Sequence, residues 1–188
     1  MTSNIELTDK EPDDALDGMK NGKAPGWDDM PVELYQNSPS AKAELYRIIR
    51  IWDTEVVPSQ MVRGIFILLY KKKDHNCYSN YRAICLLCHS YKLISAVTAS
   101  RHYAEIEHVL PDSQAGFRPA RGTRDNICIL KWTVEMLLRE RREAVITFID
   151  YSAAFDTENQ KFIGEALEFA GVSTKVRCVI QAIFHVAP

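Results

Sequence analysis

One carboxylate at the end of an apolar run, one cluster of cations and one glycine-punctuated basic loop are the places where residue type and spacing suit chemistry. The carboxylate is Asp150, within Phe148-Ile149-Asp150-Tyr151-Ser152-Ala153-Ala154-Phe155-Asp156. Read as a strand, period-two alternation sets Asp150 on the face of Ile146 and Phe148. An ionised carboxylate buried there is costly unless something compensates it, and a divalent cation is one candidate. The alternative is a strand-end Asp that caps a turn. Asp156 precedes a helix start, where a turn or capping role suits it better.

The cations are Lys71-Lys72-Lys73, followed by Tyr81-Arg82. If the two flanking apolar runs pair around the Asp74–Asn80 turn, the lysines and Arg82 gather at the loop end. Such a cluster suits a polyphosphate, with Arg binding through its fork and Lys as a point charge. It equally suits a solvated basic turn that keeps an edge strand from aggregating. The third place is Gln114-Ala115-Gly116-Phe117-Arg118, followed by Arg121 and Arg124. Residues 118–142 hold seven bases against three acids. Interleaved Gln, aromatic and Arg residues fit a nucleic-acid backbone, and they also fit a surface loop that feeds a helix. Cys85-x-x-Cys88-His89, near His75 and Cys77, has zinc-ligand residue types. Both cysteines sit in the apolar run Ile84–Cys88, where cysteine acts as a small hydrophobe, and no second Cys-x-x-Cys exists.

Elements must hold these residues, and 188 residues with 46% hydrophobic and 26% charged content are ordinary for one globular domain. Residues 1–36 carry three bases against nine acids, so at −2 overall the rest of the chain has a balance of +4. Residues 1–14 read as an acidic, disordered tail, with residues 15–188 forming the domain and a short helix over Asp13–Lys20. Helical spacing marks residues 40–53, Tyr91–Val109 and Asp125–Glu143. In the last of these, Ile127, Leu130, Val134, Leu137 and Leu138 point inward. Met61–Tyr70 reads as a buried strand, Tyr81–Cys88 as its antiparallel partner, and Ala144–Tyr151 as a separate strand. Thr157-x-x-Gln160 has the form of a capping box for a helix to Ala170, and Ser173 caps another. This is an α+β fold with a small antiparallel sheet. The longest stretch free of charged residues is eleven, against about 20 for a membrane span, so no membrane partner is expected. Five cysteines at irregular spacing and no signal peptide predict an intracellular protein, of nucleus or cytoplasm.

Taken in order, five segments resemble the reverse transcriptase domain of non-LTR retrotransposons. They are Asn21-Gly22-Lys23-Ala24-Pro25-Gly26-x-Asp28, then Tyr70–Asp74 with Asn80-Tyr81-Arg82-x-Ile84-x-Leu86-Leu87, then Tyr91-Lys92, Gln114–Pro119 and Phe148–Asp156. The resemblance implies an incomplete right-hand polymerase fold: a fingers hairpin, helices and the first palm strand. It implies RNA-directed DNA polymerisation with an RNA template, a DNA primer and deoxynucleotide triphosphates as partners. Asp150 would be the first catalytic carboxylate and a Mg2+ ligand, with the Tyr151 carbonyl as a second donor. Phe155 would exclude a ribose 2′-hydroxyl. Arg82 and Lys71–Lys73 would hold the incoming triphosphate, and Gln114, Gly116, Phe117 and Arg118 would line the template or nucleotide pocket. Two metal ions would stabilise charge on the attacking and leaving oxygens.

Ala83 stands where the family usually has Pro, and Asp29 and Ala120 stand where it usually has Gly. No Tyr-x-Asp-Asp, the second acidic pair of the family's active site, occurs in the chain. The sequence therefore reads as a truncated copy, inactive alone. The alternatives are a non-catalytic nucleic-acid-binding remnant or a protein-interaction domain, and the sequence sets no oligomeric state.

Overall fold

At the start of the fold the Thr8 amide and hydroxyl both donate to the Glu11 carboxylate at 2.9 Å, tying off the first turn of α1 (Lys10–Asp17). The structure, a computed structural model, describes residues 6–8, 10–49, 51–151, 154 and 157–186. The chain divides into two compact units, one of Met1–His102 with Val172–Pro188 and one of Tyr103–Gly171.

The first unit contains α1, α2 (Val32–Asn37), α3 (Pro39–Ile48) and α4 (Ile51–Thr54), then a 3-10 turn over Ser59–Val62. Ser38 caps α3, its hydroxyl accepting from the Ala41 amide at 3.4 Å, and Pro39 supplies a first-turn residue with no donor to satisfy. Next comes the hairpin of β1 (Gly64–Tyr70) and β2 (Tyr81–Leu87), and then most of α5 (His89–Ile106). Leu16, Val32, Leu45, Ile49 and Leu93 close its core, with Leu7, Met19, Tyr35 and Tyr46 packed around them. Ionic ties fix α1 in place. Arg101 donates twice to Glu11 at 2.6 and 2.7 Å and lies 4.7 Å from the Trp52 ring centroid. Asp13 receives the Tyr46 hydroxyl and pairs with Lys42 at 2.6 Å. Within the stretch expected as a disordered tail over residues 1–14, Lys10–Asp14 belong to α1, where Glu11 and Asp13 pair with cations on α5 and α3. The closing helix α8 (Thr174–Val186) buries Val176, Val179 and Ile183. Lys175 Nζ donates to the Asp53 carbonyl at 3.2 Å and to Glu55 at 2.9 Å.

In the second unit, the chain runs through a turn-rich loop to α6 (Thr123–Arg139) and α7 (Gln160–Phe169). Leu130, Val134 and Leu137 make a half-buried stripe on α6, while Ile127 and Leu138, expected inward, are 63% and 72% exposed. The cap of α7 is Asn159, whose Oδ1 accepts from the Lys161 amide at 2.9 Å, and not Thr157.

The α+β class stands, with one two-stranded sheet among the described residues. The hairpin forms as expected, but Met61 and Val62 leave the strand for the 3-10 turn, and β1 is exposed where burial was expected. Phe66 is 66% exposed and Ile67, on the opposite face, 41%. A two-stranded ribbon has two faces, and here neither is covered. The palm strand expected over Ala144–Tyr151 is absent: the segment has no regular structure, and Phe148 and Ile149 are exposed. β-branched residues favour extended backbone, but a strand exists only with a partner to share its ladder.

Candidate nucleotide and nucleic-acid site

The hairpin register pairs Ile67 with Ile84, Leu69 with Arg82 and Tyr70 with Tyr81. Paired side chains share a face, so Arg82 extends from the Leu69 and Ile67 side, one step from the loop. Lys71 continues the ladder, its amide donating to the Asn80 carbonyl at 2.8 Å. The loop beyond is tied internally. Asp74 Oδ1 accepts from the Asn76 amide at 2.9 Å, and the Asp74 carbonyl accepts from the Asn80 side chain at 2.8 Å. The Tyr81 hydroxyl donates to the His75 carbonyl at 2.9 Å, and the Tyr70 hydroxyl donates to the Lys73 carbonyl. Tyr70 stacks on His75 with centroids 3.8 Å apart and meets Tyr81 edge-on at 5.6 Å. Lys71, Lys72, Lys73 and Arg82 are all exposed at this end. Among the described residues no ion pair engages any of them. Three lysines on a braced loop and Arg82 on the adjoining strand, which outnumber the loop's one carboxylate, Asp74, can receive an anionic ligand without first breaking an ion pair among the described residues.

Asp150 and the Gln114–Arg118 loop belong to the second unit. That loop is built around Arg118, which is 8% exposed. Its guanidinium donates to Glu107 at 2.5 Å, to the Pro111 carbonyl at 2.9 Å and to the Gln114 carbonyl at 3.2 Å. Hydrogen bonding from Arg118 lowers the Glu107 carboxyl from its ordinary value, and Glu107 in turn raises Arg118. Arg118 thus organises the loop with its charge directed inward. Gln114 Nε2 donates to the Gly116 carbonyl at 3.2 Å. Phe117, at φ 58° and 81% exposed, is what the loop presents to solvent. Sequence reasoning missed the inward use of Arg118; its signal was Glu107, eleven residues upstream near the end of α5.

Asp150 and Tyr151 are exposed in the irregular segment after α6. Phe155 and Asp156 lie outside the described residues. Among the described residues no three His, Cys, Asp or Glu side chains converge as a metal-holding group. Magnesium asks for near-octahedral oxygen ligands, and one carboxylate with one neighbouring carbonyl does not supply them. The residues described here do not by themselves fit the expected ion. The residues weighed as zinc ligands have local uses instead. Cys88 Sγ donates to the Met61 carbonyl at 3.3 Å, and His89 Nδ1 donates to the Met30 carbonyl at 2.9 Å.

Both positions where glycine was expected have left-handed backbone, Asp29 at φ 52° and Ala120 at φ 57°. Glycine adopts that region without strain, Asp tolerates it, and Ala pays a steric cost.

The family model described as reverse transcriptase (RNA-dependent DNA polymerase) matches residues 70–187, more than half of the chain. The match takes in Lys71–Lys73, Arg82, the Gln114–Arg118 loop and Asp150, and leaves the Gly22–Asp28 turn outside it. A curated relative, the "Transposon TX1 uncharacterized 149 kDa protein" of Xenopus laevis, is 23% identical over 159 residues. That alignment covers 84% of this chain and 12% of the relative, so the chain spans about one eighth of the relative's length.

Proposed function

The chain belongs to the reverse transcriptase (RNA-dependent DNA polymerase) family, its transposon relative agrees with the non-LTR retrotransposon type, and on that premise we propose that it carries the fingers and first catalytic carboxylate of an RNA-directed DNA polymerase. The observation that carries this reading is the end of the braced hairpin, where Lys71–Lys73 and Arg82 are exposed and enter no ion pair among the described residues. In the parent reaction the primer 3′-oxygen bonds to the α-phosphorus of a deoxynucleotide triphosphate, and the bond to the bridging oxygen breaks to release pyrophosphate. Arg82 binds the triphosphate through two parallel donors, and Lys71–Lys73 offset its charge. Asp150, at its place in Phe148–Asp156, is the carboxylate that the family resemblance assigns to the reaction. RNA template and DNA primer are the remaining partners, in an intracellular setting that suits five free cysteines.

No Tyr-x-Asp-Asp occurs in these 188 residues, so the isolated chain binds a triphosphate without incorporating it. Calorimetry with dTTP and with inorganic tripolyphosphate tests the binding. Arg82→Ala is expected to abolish heat with both ligands, and equal heat from Arg82→Ala and the parent would sink the triphosphate reading. Primer extension with magnesium or manganese is expected to give no product. Product that Asp150→Ala abolishes would overturn the non-catalytic assignment.

Exposed Phe117, followed four and seven residues on by exposed Arg121 and Arg124, favours a second reading, nucleic-acid binding without chemistry. Steeply salt-dependent binding of RNA, lost in Phe117→Ala while dTTP gives no heat, would select it.

A further inference from the structure

Both roots of the hairpin are fixed to one short loop, Gly26–Met30. Before β1, the Gln60 carbonyl accepts from Trp27 Nε1 at 2.8 Å, and the Arg63 guanidinium lies 4.7 Å from the Trp27 ring centroid. After β2, the backbone of Leu87 and Cys88 passes so close to Gly26 that a side chain there has no room. A Cβ at position 26 would lie 2.7 Å from both Cys88 Cα and the Leu87 carbonyl carbon, and closer still to the Cys88 nitrogen. His89, 2% exposed, donates from Nδ1 to the Met30 carbonyl at 2.9 Å. Cys88 Sγ, donating to the Met61 carbonyl at 3.3 Å, ties one root to the other. Between these roots and the loop at its far end, the ribbon is exposed on both faces. Its direction is therefore set at its base.

We propose that Gly26–Met30 is the seat of the hairpin, with Gly26, Trp27 and His89 as positioning residues that fix where the cation-bearing loop points. Gly26 permits the close backbone approach, Trp27 holds the first root and His89 the second. Loosening either root leaves the ladder intact and changes the angle at which the ribbon leaves the core. The functional value of that angle rests on the triphosphate reading above; the seat itself does not.

The test is a distance measured without any nucleotide. In a Cys128→Ser, Glu44→Cys background, spin labels go on Cys77 in the hairpin loop and on position 44 of α3. Both sites are exposed, and the Ser79 hydroxyl lowers the Cys77 thiol, which speeds its labelling. The background protein is expected to give one narrow distance distribution. Trp27→Phe keeps a ring for Arg63 and removes only the donor to Gln60. It is expected to shift or broaden that distribution while melting temperature and far-ultraviolet dichroism hold. Gly26→Ala is expected to do the same more strongly, and if it fails to fold, Trp27→Phe decides. A Trp27→Phe protein with lowered melting temperature and an unchanged distribution would reduce these contacts to stability alone and overturn the proposal. Tripolyphosphate titration run in parallel separates the two readings: absent heat removes the triphosphate site, and unchanged distances remove the seat.

Discussion

The two units draw on similar proportions of apolar residues and use them differently. In the first, Leu16, Val32, Leu45, Trp52, Leu93 and Ile94 are all at most 1% exposed. In the second, Ala115 and Arg118 are the buried positions among the described residues, while Trp132, Leu138, Phe148 and Phe169 stand 68%, 72%, 83% and 96% exposed. Helix α6 is apolar on several sides, a pattern that belongs to a helix covered on several sides. Apolar content is thus a necessary condition for a core and no guarantee of one. A core also needs elements that face each other, and the second unit has a loop organised by an ion pair where the first has interdigitated side chains.

Truncating the first core should have the largest effect. Leu93→Ala is expected to cost about 2–5 kcal/mol by urea denaturation, through lost burial and the cavity left behind. A loss under about 1 kcal/mol would mean that the first unit is no better packed than the second. Next comes the ionic tie of α1. Arg101 holds Glu11 down to about 2, so its contribution is present above pH 4.5 and lost as pH falls from there toward 2. Glu11→Gln is expected to cost about 1–2 kcal/mol at pH 6, discounted from the full shift because the pair is partly screened by solvent. The difference from the parent should vanish near pH 2. If it persists there, the shape of Gln and not the lost charge is responsible.

Backbone strain offers a smaller test in each unit. Ala120→Gly is expected to stabilise by about 1 kcal/mol by relieving left-handed strain, and Asp29→Gly by less, since Asp tolerates that region. Peptide-level hydrogen exchange should localise each gain to its own unit. The smallest effect should come from Leu138→Ala, within about 0.5 kcal/mol, because an exposed side chain has little burial to lose. A cost like that of Leu93→Ala would mean that α6 is covered in solution, by self-association that sedimentation would reveal.

Local features were legible in the sequence and distant ones were not. The hairpin followed from two apolar runs around a Lys-Asp-Asn turn, and α3, α5 and α6 followed from helical spacing. That β1 would be exposed was invisible, because exposure depends on what packs against a strand. The Ala144–Tyr151 strand failed for the same kind of reason: its residues prefer extended backbone, but a ladder needs a partner. Of the candidate site, the cluster Lys71–Lys73 with Arg82 was readable from the turn between them. Arg118 looked like a surface cation because nothing in its immediate neighbours announced Glu107. The seat at Gly26 was hidden furthest, since its contact with Cys88 spans some sixty residues of chain.

The return of α8 to the first unit has a consequence for biosynthesis. Val176, Val179 and Ile183 join a unit whose other elements are made more than seventy residues earlier, and Lys175 reaches back 120 residues to Glu55. On a ribosome, α1 to α5 emerge well before α8, and the whole of Tyr103–Gly171 must be made in between. The nascent first unit, its hairpin exposed, therefore waits with the surface meant for α8 open, while the exposed apolar residues of α6 are already made. Contacts of such long sequence separation form slowly, and open apolar surface invites association while they form. Yield of native protein should accordingly depend on translation speed and chaperone supply more steeply than the stability of the finished fold would suggest.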